Sequence, residues 1–247
     1  MTACSTAANP SLDAGPGKDA PPRDGNLPDV DAPQTDAAPD GSSAYSHTVV
    51  LDGSDDFLAA ETFGTTSTAY TARVTWDDQN LYIGYSGPDL NPTALDTASK
   101  WLFVYIDTDP GAGTGAIKSL KYNTQQAVFP SGFGAELYAR WKCTATFSSI
   151  EQFQGGTTYT TVGTPQSGHA GTFVEFAIPR SHFNGSTTIG LVTWMINEKP
   201  NFEGSFAGLF LGNFGDGYST ALPITKYLRL DLTAATVPND PSNAVAP

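Results

Sequence analysis

Lys100-Trp101-Leu102-Phe103-Val104-Tyr105-Ile106-Asp107 is apolar at every position between its charged ends. Side chains alternate along a strand, so Leu102, Val104 and Ile106 point one way and Trp101, Phe103 and Tyr105 the other. The aliphatic set suits the core between two packed sheets. The rings on the opposite face need either a covering segment or something flat to stack against.

Residues 135–146 divide just as sharply. Leu137, Ala139, Trp141 and Cys143 face one way, and Glu136, Tyr138, Arg140, Lys142 and Thr144 the other. If this strand shares a sheet with residues 101–107, Tyr138 and Arg140 lie beside Trp101, Phe103 and Tyr105. Rings stack on the apolar faces of sugars, and Arg and Glu hydrogen-bond hydroxyls. The expected ligand platform is therefore Trp101, Phe103, Tyr105, Tyr138 and Arg140. Tyr218 joins it from the loop Gly215-Asp216-Gly217-Tyr218. A second outcome stays open: the Gly-rich residues 202–219 fold over this face, and the rings become a small core of their own.

Working outward, Arg73-Val74-Thr75-Trp76 leads through Asp77-Asp78-Gln79-Asn80 into Leu81-Tyr82-Ile83-Gly84-Tyr85, a strand, a polar turn and a strand. Further alternating stretches follow at 157–162, 172–178, 189–197 and 226–232. Short strands joined by Gly/Pro/Asn/Asp loops predict an all-β, jelly-roll-like antiparallel β-sandwich. Pro179 to Phe183 reads as one helical turn. Trp76 and Trp194 alternate with core positions and read as structural. The domain is placed at 46–235, and residues 236–247 read as a frayed, disordered end.

The formal charge of −13 and a sequence pI near 4.3 make nucleic acid and anionic lipid surfaces poor partners, since both demand clustered Lys and Arg. No apolar run approaches the ~20 residues of a membrane helix. Residues 5–45 hold seven prolines and seven aspartates with almost no aliphatic or aromatic side chains. Such a segment cannot offset its ordering entropy and reads, with the start of the chain (1–45), as a disordered acidic spacer with a mean reach of roughly 35 Å. Met1-Thr2-Ala3-Cys4-Ser5 resembles the end of a bacterial lipobox, which makes Cys4 a lipidation site. The expectation is an exported lipoprotein of the bacterial outer membrane or cell surface, meeting the membrane only through its lipid. Cys143, in a strand, reads as a small buried hydrophobe.

Asp107-Thr108-Asp109 runs into Pro110-Gly111-Ala112-Gly113-Thr114-Gly115. Two carboxylates one residue apart beside a loop of exposed carbonyls can ligate a structural Ca²⁺ through Asp107 and Asp109; a strand-ending turn whose aspartates bond local amides is the other reading. His47, His169 and His182 are scattered and lack zinc-ligand spacing. No nucleotide loop or nucleophile elbow is present. Glu136 and Glu175 form the best carboxylate pair for glycoside hydrolysis, without a cleft to place them in. The chain reads as a binding domain, not an enzyme.

Val49-Val50-Leu51-Asp52-Gly53, the Trp76–Ile83 hairpin, Leu102 to Asp109, Phe173-Val174-Glu175-Phe176-Ala177-Ile178-Pro179 and Lys226-Tyr227-Leu228-Arg229-Leu230 follow one another in an order that resembles family 9 carbohydrate-binding modules and the wider DOMON-like extracellular sandwiches. The resemblance spans nearly the whole folded region, and the Trp-acidic-Asn-Leu-Tyr hairpin is its most specific part. It implies a non-catalytic, exported sandwich that holds a polysaccharide or glycan on a concave face, often with structural calcium. The two tryptophans that grip sugar in that family have no counterparts here: Leu95 to Ser99 stands where one would precede the 101–107 strand, and residues 202–218 carry only Phe202, Phe206, Phe210, Phe214 and Tyr218. Two alternatives accompany the sugar reading. One is a structural or adhesive envelope domain that binds protein; the other is a haem domain of the DOMON type, using Met195 with His169 or His182.

Overall fold

The computed structural model describes residues 43–91, 93, 97–144 and 147–247. The acidic spacer and Cys4 lie outside them. The described chain is an antiparallel β-sandwich. Its smaller sheet contains β1 (Thr62–Gly64), β2 (Thr71–Trp76), β3 (Asn80–Ser86), β9 (Gln166–Ala170) and β10 (Phe173–Pro179) in the order β1-β2-β3-β10-β9. The larger sheet contains β4 (Lys100–Asp107), β6 (Leu137–Lys142), β7 (Ser148–Gly155), β8 (Thr158–Gly163), β11 (Thr188–Asn197), β14 (Tyr227–Asp231) and β15 (Ala244–Val245). Its order is β15-β14-β11-β4-β6-β7-β8, with β12 (Gly204–Phe206) added to β11. A two-residue parallel pair, β5 (Ala127–Val128) with β13 (Leu222–Pro223), sits apart from both.

The alternation of β4 decides how these layers stack. Leu102, Val104 and Ile106 enter the core between the sheets. There they meet Leu137, Ala139 and Trp141 of β6, and Val174, Phe176 and Ile178 arriving from the smaller sheet. Full burial of each such side chain contributes about 1.5–3 kcal/mol. Cys143 is part of this core, and burial raises its thiol pKa far above the ordinary value. The β2–β3 turn closes as its polar residues predict: Asp77 Oδ1 accepts from the amides of Gln79 and Asn80, both at 2.8 Å. Arg180–Phe183 is a single 3-10 turn.

The opposite face of β4 builds a second core. Trp101, Phe103 and Tyr105 pack with Tyr138, Val192, Trp194 and Ile196, and a long excursion between β4 and β6 covers them. Outside the smaller sheet, residues 49–57 form a strap over β3 and β10, with Val49, Leu51 and Phe57 against Tyr82 and Ala177. Glycine at 168 permits this approach: a Cβ there would stand 2.6 Å from the Gly53 nitrogen.

The carboxyl-terminal residues differ from the expected frayed end. Pro241–Asn243 forms a 3-10 turn, and β15 pairs with Tyr227 and Leu228 of β14. Val245 packs on the second core, which ties this polar segment to the large sheet.

Candidate ligand cleft and carboxylate cluster

The rings expected to form an open platform are sealed. Exposure falls to 5% at Trp101, 3% at Phe103, and 1% at both Tyr105 and Tyr138. The register is as expected, Phe103 opposite Arg140 and Tyr105 opposite Tyr138, but the space above is occupied. Leu120, Tyr122, Ala127, Phe129 and Phe133 come from the β4–β6 excursion, and Leu222 and Ile224 from the approach to β14. The Gly-rich stretch 202–219 has a smaller part than anticipated. Ala207 and Leu209 join the inner core, and Phe214 alone of that stretch reaches the second one. The physical reason is mutual stacking. Tyr105 lies 4.4 Å from Tyr138 and 5.4 Å from Trp194, both nearly parallel, and Phe129 packs at 5.0 Å. Rings so close gain more from each other and from dryness than from an open face.

Arg140 is engaged within the protein too. It donates to Glu151 Oε1 at 2.8 Å and to Ser149 Oγ at 3.1 Å, and its guanidinium lies 4.7 Å from the Phe147 ring centre. Tyr218 is exposed and shares a 2.8 Å hydrogen bond with the Thr124 hydroxyl, apart from the other five residues. Trp76 and Trp194 are structural, the first in the inner core and the second stacked in the outer one.

Where the second core reaches the surface, a cleft of about 830 Å³ opens. One wall is the strip Gly115–Lys121 and the other is the tip of the β7–β8 hairpin. Phe153 and Tyr159 are cross-strand partners there, with ring centres 5.4 Å apart. Tyr159 also touches Tyr138 at 5.9 Å, so the buried stack continues out to the cleft. Its hydroxyl is buried without a hydrogen-bond partner, and burial raises its pKa. The half-exposed part of Tyr159 is therefore ring, not hydroxyl.

The opposite wall is held firmly. Ala116 and Ala135 exchange two backbone hydrogen bonds at 2.9 Å, and the Ile117 carbonyl accepts from Phe129. The Leu120 amide donates to the Tyr105 hydroxyl at 3.0 Å. Gln126 donates to the Ser119 carbonyl at 2.8 Å. Gly115, at φ +75°, makes the tight crossing with Gly134 in which a Cβ would lie 2.5 Å from the Gly134 carbonyl carbon. The cleft escaped the sequence reading because its walls are some 35 residues apart in sequence. The Gly155-Gly156 turn between Phe153 and Tyr159 was the available signal.

The acidic residues after β4 do converge. Ligand oxygens of Asp107, Asp109 and Glu136 lie within 4.8 Å of one another. Asp107 is buried and accepts from the amides of Asp109 (2.9 Å) and Gly134 (2.8 Å). Desolvation nonetheless pushes its pKa up to about 6, against those two hydrogen bonds and with help from the Asp109 charge. Glu136 is raised as well, first by burial and then by Asp107. The Thr114 hydroxyl faces both oxygens of Asp109 at 2.8 Å and Glu136 Oε1 at 3.0 Å, yet its one proton serves only one of them. This set of hard oxygen donors, short of protons to share, fits a divalent cation.

Other candidates are not brought together. Glu175 lies on β10 of the smaller sheet under the strap, accepting from the amides of Asp52 and Gly53, whereas Glu136 serves the amide of Thr108 beside the larger sheet. They do not face each other across a substrate space. The haem alternative fails on Met195 and His169. Met195 is fully buried in the inner core, paired with Leu102, and His169 packs on Trp141 with its ring nitrogen 2.6 Å from the Leu90 carbonyl.

No family model matches the chain, and no curated protein matches it. Among solved structures, the fold is similar to a carbohydrate binding module family 9 protein from Caldicellulosiruptor kristjanssonii, in complex with cellotriose. The two are 14% identical with a TM-score of 0.36, and the match covers 72% of this chain and 90% of that one.

Proposed function

We propose that this sandwich is a non-catalytic carbohydrate-binding domain whose sugar site is the cleft between Ile117–Lys121 and the β7–β8 hairpin, not the sealed face of β4. The observation that carries this reading is the pairing of Phe153 and Tyr159 along one wall. Two adjacent rings offer a stacking surface for a pyranose, and Gln126 and Thr157 offer groups for its hydroxyls. The volume falls in the ordinary range for small-molecule sites, about 300–1,000 Å³. Titration calorimetry against a panel of soluble oligosaccharides tests it. Phe153→Ala lowers affinity about tenfold, a ring contact being worth roughly 1–1.5 kcal/mol, and Tyr218→Ala leaves it unchanged. Undiminished binding by the Phe153 variant contradicts the assignment.

Two further parts of the reading are proposals of the same kind. Ca²⁺ bound by Asp107, Asp109 and Glu136 would offset most of the charge of three converging carboxylates and brace the strip that walls the cleft. Lipidation at Cys4, followed by the acidic spacer, would tether the domain to the outside of a bacterial cell. Loss of membrane association in Cys4→Ala checks the tether.

A further inference from the structure

Resting on that sugar-site reading, the charge of the cleft narrows the class of glycan. Carboxylate residues outnumber lysine and arginine 25 to 12 in this chain. A surface groove chosen at random is therefore expected to be acidic. This one is lined differently: the charged side chains among its lining residues are Lys118 and Lys121, while Glu136 and Glu151 stand behind Tyr159, near enough for their charge to act on it. Neither lysine takes part in an ion pair among the described residues, unlike Arg73, Lys100, Arg140 and Lys142.

Their backbone is fixed rather than loose. Lys118 forms a β-bridge with Val128, and Lys121 stands between the Leu120 amide held by Tyr105 and the Tyr122–Gln125 bridge. Two unpaired ammonium groups thus project from a rigid strip that faces a pair of rings. Ammonium groups left unpaired in a strongly acidic protein attract an external anion at short range. The rings opposite them favour a partner that presents flat apolar faces between its charges.

We propose that the cleft selects an anionic oligosaccharide: a uronate-containing chain whose carboxylates meet Lys118 and Lys121 while a sugar face lies on Phe153 and Tyr159. Neutral glycans of the same length lack the contacts to the two ammonium groups and bind more weakly. An acidic peptide supplies charge without the stacking faces and also binds more weakly.

Calorimetry on the full chain at neutral pH and fixed ionic strength separates these cases, with tetragalacturonate, cellotetraose and tetra-aspartate as probes. The expected result is tetragalacturonate about tenfold tighter than either comparison, as two exposed ion pairs allow. The double variant Lys118→Gln/Lys121→Gln removes that advantage and leaves cellotetraose within about twofold. Charge reversal, Lys118→Glu/Lys121→Glu, inverts the preference. Both lysines are exposed, so these variants keep the fold. Equal affinity for the charged and neutral tetramers, both lowered about tenfold in Phe153→Ala, overturns the charge selection and leaves the sugar site standing. Binding of tetra-aspartate at least as tight as tetragalacturonate overturns the glycan assignment. Silence toward all three probes overturns both readings.

Discussion

Replacing Phe103 by alanine distinguishes a structural ring from a ligand platform. The ring is almost wholly buried. Its centre lies 5.4 Å from Tyr122, 5.6 Å from Tyr138, 5.7 Å from Trp194 and 6.4 Å from Trp101. Truncating a buried phenylalanine costs about 3–5 kcal/mol, through lost transfer free energy and the cavity left behind. Four ring neighbours, themselves wedged between β11, β6 and the covering strip, cannot easily collapse into that space. The expected loss is therefore in the upper part of the range, about 4 kcal/mol. For a domain of this size each kcal/mol moves Tm by roughly 2–4 °C, so the shift is about 8–16 °C downward. Urea denaturation followed by circular dichroism gives the free energy directly, and Tyr218→Ala, at an exposed ring, serves as a control expected to change by less than about 0.5 kcal/mol. A Phe103→Ala protein that loses less than about 1 kcal/mol refutes the second core.

Glu175→Ala leaves the amides of Asp52 and Gly53 without their shared acceptor, at a cost of about 2–5 kcal/mol by denaturation. Glu175→Gln keeps an acceptor oxygen and costs much less, so equal losses in the two variants contradict that role. Without metal, stability falls as pH rises from about 4 to about 6. Asp107 is raised from 3.8 to about 6 by burial, so across this window the folded state holds a proton that the unfolded chain has released. The integrated loss is up to roughly 3 kcal/mol, complete above pH 6. Ca²⁺ needs the ionised carboxylates, so its addition raises Tm at pH 7.5 and has little effect near pH 4.5. An unchanged Tm at pH 7.5 with and without EDTA contradicts the calcium assignment.

The alternation in β4 and β6 was enough to place their aliphatic faces between two sheets, and the Asp77–Asn80 turn announced its hairpin. What alternation does not encode is what lies over an outer face. The covering residues Leu120, Tyr122, Ala127, Phe129 and Phe133 occur at irregular spacing among glycines and polar residues, with neither a strand nor a helix period. They bury their side chains through a winding excursion stitched by isolated bridges such as Ala116–Ala135. Strand β9, Gln-Ser-Gly-His-Ala, lies at a sheet edge and has no apolar set to betray it. In β7 the apolar signal is thin, resting on Ile150 and Phe153. The carboxylate cluster was half legible. Asp107 and Asp109 are close in sequence, whereas Glu136 arrives through the pairing of β6 with β4, which sets Leu137 opposite Ile106 and lets the Glu136 amide donate to the Ile106 carbonyl. The cleft belongs to the same category, made by tertiary contact between segments that carry no common motif.

The central claim is that the outer face of the large sheet is closed, which leaves the cleft at its margin as the place for a ligand. The chain's four tryptophans, Trp76, Trp101, Trp141 and Trp194, make this directly measurable, since all are buried. Iodide quenching of the native protein's intrinsic fluorescence should give a blue-shifted emission almost untouched by the quencher. A red-shifted, readily quenched fraction of the size that one open tryptophan in four contributes, lost in Trp101→Phe, would contradict the account.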